Sequence, residues 1–131
     1  MSDKEILKEL LVDKQLLLEE SVAKAKDLIG IDERTGEVVF RISLLKLSAR
    51  QRIELYLVGK YFSKSLGLKS SGKASIDEMS KDLGIEKNNT SWLIPEMEQE
   101  GILRSAGRGK FAITPVRVLD ILDDARLKLG L

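Results

Sequence analysis

The side chains in this sequence best suited to chemistry are basic, and they gather in its centre. Arg104, Arg108 and Lys110 flank Gly107 and Gly109 with no acid among them. Guanidinium and ammonium groups on a flexible tip suit phosphate oxygens, or the narrow minor groove of a duplex. Arg50 and Arg52 form a second basic pair, spaced to add contacts to a nucleic-acid backbone. No acid occurs between Glu54 and Asp77, whereas Lys60, Lys64, Lys69 and Lys73 all fall there. That stretch reads either as a solvated lysine-rich helix end and loop or as phosphate contact. Residues 1–47 carry 8 basic and 10 acidic side chains, residues 48–115 carry 11 and 8, and residues 116–131 carry 3 of each. The overall charge of +1 therefore hides a central segment of +3.

Other chemistries find little support. The 131 residues include no histidine and no cysteine, which removes the commonest metal ligand, thiolate sites and Ser-His or Cys-His nucleophiles. There is no phosphate-binding loop ending in Gly-Lys-Ser/Thr and no Gly-rich dinucleotide fingerprint. Asp120, Asp123 and Asp124 have the spacing of an ordinary exposed helix face. No catalytic residue, metal or cofactor is expected, and the chain reads as no enzyme. No apolar run approaches the ~18–20 residues that span a bilayer, and the beginning lacks a secretory pattern. A cytoplasmic protein without membrane contact is expected.

The elements that must position the basic groups follow from periodicity and punctuation. Leu7, Leu10, Leu11, Leu17, Leu18, Val22, Ala25, Leu28 and Ile29 recur at helical spacing and predict one amphipathic helix over residues 3–29. Lys14 and Ser21 interrupt its stripe. It serves either as a helix packed on its own domain or as a dimerisation helix. Gly30 is its expected stop, residues 32–36 have turn composition, and Val38, Phe40 and Ile42 alternate as in a half-buried strand. Ser48-Ala49-Arg50-Gln51 has the form of a capping box and opens a helix in which Gly59 implies a close helix crossing. Ser75-Ile76-Asp77-Glu78 is a second such box, and Gly84 ends its helix. A tight turn leads to a helix from about Asn89 to Glu100, stopped by Gly101. Pro95 implies that this helix either kinks or begins late, near Thr90 or Ser91. Residues 102–105 and 110–114 read as a hairpin around the Gly-rich tip. Thr114 then caps a last helix with Pro115 at its first position.

The order helix, short helix, turn, helix, hairpin carries a family resemblance. The run SIDEMSKDLGIEKNNTSWLIPEMEQEGILRSAGRGKFAIT, residues 75–114, resembles the winged helix-turn-helix of prokaryotic, archaeal-type transcriptional regulators. Leu83-Gly84-Ile85 and Glu100-Gly101-Ile102-Leu103 carry the likeness, and Leu55 to Phe62 looks like the first helix of archaeal winged-helix proteins. The resemblance implies a mainly α fold with a small β-hairpin. Residues 1–47 would be an N-terminal helix and strand extension, residues 48–115 the winged domain, and residues 116–131 a C-terminal helix. It also implies a transcriptional regulator of double-stranded DNA, dimeric through its first and last helices, with the third helix in the major groove and the wing on the backbone.

Helical phase places Thr90, Leu93, Ile94 and Met97 of that third helix toward the core. Asn88, Trp92, Pro95, Glu96 and Gln99 then face outward. Asn88, Asn89, Ser91 and Gln99 are the candidates for reading bases, with Trp92 beside them for thymine methyls or sugars. The acids Glu96, Glu98 and Glu100 would repel phosphates wherever they met them. A second reading makes Trp92, Leu93 and Pro95 the centre of a contact with a protein partner, since tryptophan is enriched in such centres.

Overall fold

The computed structural model describes residues 2–69 and 71–131. The chain is mainly helical with two small antiparallel sheets. Among the described residues no helix is long and apolar enough to cross a membrane.

The expected single helix over residues 3–29 is broken. It divides into α1 (Asp3–Leu7), a 3₁₀ turn (Lys8–Leu10) and α2 (Lys14–Ala25). Asp13 causes the break: its carboxylate accepts the N–H groups of Gln15 and Leu16 at 2.9 and 3.3 Å, capping a new helix where the stripe would have continued. Every residue from Ser2 to Glu20 is exposed. Ser21, which interrupts the leucine stripe in sequence, lies on the buried face and donates its hydroxyl to the Leu17 carbonyl at 2.9 Å. With Ala25 it lets α2 approach its neighbours closely. Lys24 binds Asp123 at 2.6 Å, and Arg126 binds Asp27 at 2.9 Å, so the second half of α2 is docked to the C-terminal helix of its own chain.

Gly30 is not a helix stop. It sits inside β1 (Ile29–Ile31), which pairs with β2 (Val38–Phe40) in a hairpin, Ile29 opposite Phe40 and Ile31 opposite Val38. The turn between them is held by Asp32, whose carboxylate accepts the N–H groups of Arg34 and Thr35. Those bonds hold its pKa below the ordinary carboxylate value. β2 ends at Phe40, short of Ile42.

The central helix α3 (Ala49–Ser65) opens with both bonds of the Ser48–Gln51 capping box. It buries Ile53, Leu55, Tyr56, Leu57 and Val58, and the rest of the fold is arranged around it. Gly59 faces β2 and not another helix. A Cβ there would meet the Val38 methyls at 2.6 and 2.7 Å, so the glycine admits the strand to van der Waals contact with the helix backbone.

Next come β3 (Ala74–Ser75), α4 (Ile76–Leu83), α5 (Lys87–Gln99), β4 (Leu103–Ser105) and β5 (Lys110–Ile113). The sheet order is β3-β5-β4, with Ala74 opposite Phe111 and Leu103 opposite Ile113. Gly84 and Gly101 end α4 and α5 with φ of +66° and +75°, the left-handed conformation a side chain would oppose. The second capping box is only half made. Ser75 accepts from the Glu78 N–H at 3.1 Å, but the Glu78 carboxylate turns to Lys60 and Tyr56. The tight turn between α4 and α5 is pinned by Ser80, which donates to Thr90 Oγ1 at 2.8 Å. The last helix is α6 (Val118–Lys128). Thr114 makes no side-chain cap; Pro115 opens a 3₁₀ turn, Pro115–Arg117, before α6 begins.

Candidate nucleic-acid interface

Helix α5 starts at Lys87, earlier than Pro95 implied, and runs through that proline to Gln99. Pro95 is exposed and has no N–H to give the Ser91 carbonyl its helical bond. Thr90, Ile94 and Met97 are buried and Leu93 is half-buried against the core. Asn88, Asn89, Ser91, Trp92 and Gln99 are exposed, in the register helical phase predicts. Trp92 exposes 75% of its surface. No side chain caps α5 at Glu86, which leaves its first N–H groups to water or to an anion.

The acids on the far half of α5 are not free to repel a duplex equally. Arg50, at the start of α3, pairs with Glu100 and Glu54 and lies 3.9 Å from Glu96. Arg117 donates to the Glu100 carbonyl at 3.0 Å, as a cation at a helix C-terminus should. Glu54, at the edge of the same cluster, has its pKa raised by burial, against the pull of Arg50.

Both members of the Arg50/Arg52 pair have partners within the chain. Arg50 is spent on carboxylates. Arg52 donates to the backbone carbonyls of Leu44 and Leu47 from Nε and of Leu83 from a terminal nitrogen, at 2.9, 3.3 and 3.2 Å. It ties the end of α4 to the segment before α3. Lys60 is withdrawn as well: it is buried, bonded to Glu78 at 2.6 Å, with its ammonium 5.3 Å from the centre of the Tyr56 ring. The Tyr56 hydroxyl lies 2.8 Å from Glu78 and 2.6 Å from Asp82. Burial, then hydrogen bonding to those two carboxylates, pushes its pKa far above the ordinary phenol value.

Lys69 lines a separate groove with Glu37, Glu78 and Asp82, but two of the lysines come together with the hairpin. Lys64 of α3, Lys73 before β3 and Arg104 of β4 line one groove of about 240 Å³, floored by Tyr61 and Ala112. Among the described residues no acidic side chain lines it. The Lys73 ammonium sits beside Gly107 at the hairpin tip, 3.6 Å from where a Cβ would stand. Arg108 and Lys110 are exposed on the same hairpin. Two basic stretches more than thirty residues apart in sequence are thus one surface. Sequence reasoning missed the union of Lys64 and Lys73 with the hairpin. The signal lay in β3, whose two residues are too few to show alternation yet bring Lys73 alongside β5.

Comparison with protein-family models, with curated proteins and with solved structures finds no match to this chain.

Proposed function

We propose that residues 48–115 form a winged helix-turn-helix that binds duplex DNA through phosphate contacts from its hairpin, with the first half of α5 lying in or against the major groove, and that the protein is a transcriptional regulator. The observation that carries this reading is the acid-free groove where Lys64, Lys73 and Arg104 converge beside Arg108 and Lys110. The exposed Asn88, Asn89 and Ser91 support it as hydrogen-bonding groups for base edges. The pairing of Arg50 with the acids of α5 supports it too, because it lowers the negative potential the helix would present to phosphates. The backbone supplies most of the affinity on this reading, since the basic groups lie on the hairpin and not on α5.

Fluorescence anisotropy with a generic duplex at low and moderate salt tests it. Binding should weaken steeply with salt, and Arg104→Ala or Lys73→Ala should each lower the log–log slope by about 0.9. Arg50→Ala should leave the slope unchanged. Absence of binding at low salt refutes the reading.

Trp92 favours a second reading. A tryptophan this exposed beside Pro95 and the half-buried Leu93 suits a protein partner docked on α5. Trp92→Ala would then abolish partner capture with no loss of salt-dependent DNA affinity. On the DNA reading it would weaken duplex binding and capture nothing.

A further inference from the structure

Residues 2–13 form an apolar arm laid on nothing of its own. Ile6, Leu7, Leu10, Leu11 and Val12 expose between 51% and 76% of their surface. The extended backbone of Leu11 (ψ 132°) and Asp13 (ψ 109°) separates the arm from α2, so the two do not share one helix axis. On the same chain, two apolar grooves meet at Leu18 and Phe62. One, of about 520 Å³, lies between Leu17, Tyr61, Val116 and Leu119. The other, of about 450 Å³, lies between Val22, Ile29, Ile31 and Leu66.

We infer that the arm is exchanged between two copies of this chain, each arm lying in the Leu18–Phe62 grooves of the other. Three observations select a second copy as the occupant. First, the insert and the receptor are both present on one chain, which is the condition for an isologous two-fold contact. Second, their charges match. The arm carries four acids, Asp3, Glu5, Glu9 and Asp13, against Lys4 and Lys8. The charged residues lining the grooves are Lys14, Lys26 and Arg41, all basic. Third, the area suffices. Arm and groove linings together expose ten large aliphatic side chains, the arm's five with Leu17, Leu18, Val22, Leu66 and Val116. That surface exceeds the few hundred Å² typical of a monomer's largest apolar patch and, counted on both copies, reaches the range of a stable dimer.

The inference stands apart from the DNA reading, and its test contains no nucleic acid. Sedimentation equilibrium of the full chain should show a dimer. The arm variant Leu7→Asp/Leu10→Asp and the groove variant Val116→Asp each alter exposed residues, so both should keep the wild-type circular dichroism. Each should weaken self-association about 10- to 100-fold. Mixing the two variants should give a heterodimer tighter than either homodimer, because one intact arm still meets one intact groove. A monomeric wild type, an arm variant that dimerises normally, or a mixture with no gain overturns the exchange. The last outcome would mean that arms pair with each other and not with grooves.

Discussion

Residues 2–20 and helix α3 have similar lengths and opposite fates. The first stretch holds eight large aliphatic residues and buries none of them. α3 holds four, with three aromatics, and eight of its 17 residues are buried, including a lysine and a serine. Apolar content is therefore not what separates them. α3 is enclosed by β1, β2, α4, β5 and α6, so its polar groups find partners inside: Ser63 bonds the Gly36 carbonyl at 2.6 Å and Lys60 bonds Glu78. Among the described residues no element encloses the arm, and Leu17 and Leu18 after it only edge grooves beside Tyr61 and Phe62. A hydrophobic stripe specifies that a face will be covered, and says nothing of which surface covers it.

The largest expected effect breaks this comparison most directly. Leu57 is fully buried, and Leu57→Ala should destabilise the fold by about 2–5 kcal/mol in chemical denaturation, through lost transfer energy and a cavity. Gly59→Val should come next. Its branches would overlap the Val38 methyls, which already stand 2.6 Å from a Cβ position, and overpacking of this kind costs about 1–3 kcal/mol. A stabilised Gly59→Val would mean that β2 is loosely held against α3.

The third effect depends on pH. The folded pKa of Tyr56 is raised, by burial first and by the Asp82 and Glu78 hydrogen bonds next. A raised folded value means stability that is complete below the unfolded phenol pKa near 10 and is lost as pH climbs above it. The unfolded chain then releases a proton that the folded chain keeps. Denaturation midpoints should fall above that pH with a contribution of up to about 1.4 kcal/mol per pH unit, and Tyr56→Phe should remove that contribution. A variant with the same alkaline slope as wild type would show that the loss originates elsewhere. The smallest effect belongs to the arm. Leu10→Ala, measured dilute enough to keep the chain monomeric, should shift stability by about 0.5 kcal/mol or less. A loss comparable with that of Leu57→Ala would mean that the arm packs on its own chain.

Much of the local structure was legible in the residues. The Ser48 capping box, the glycine ends of α4 and α5 and the outward face of α5 depend on residues no more than about four positions apart. The single helix over residues 3–29 failed as a reading because one aspartate, Asp13, offers a cap that competes with helix continuation, and periodicity counts do not weigh that competition. β1 was hidden because its three residues, Ile-Gly-Ile, are too few to show a pattern and Gly30 reads as the end of a helix. Gly59 was rightly read as a close approach but assigned to a helix, since nothing in the sequence says what approaches.

The candidate site divides along the same line. Arg50, Arg52, Arg104 and Arg108 are indistinguishable as residue types. Only the fold spends Arg50 on Glu96 and Glu100 and Arg52 on three carbonyls, and only the fold leaves the hairpin arginines exposed. By itself the sequence determined where α3 starts and where α4 and α5 stop, which face of α5 turns outward and that positive charge concentrates in residues 48–115, because those properties arise from near neighbours and composition. Tertiary structure decided which cations are paired, that Lys64 and Lys73 join the hairpin in one groove and that the six leucines from Leu7 to Leu18 stay uncovered. Those outcomes depend on contacts between residues far apart in the chain, which no local pattern encodes.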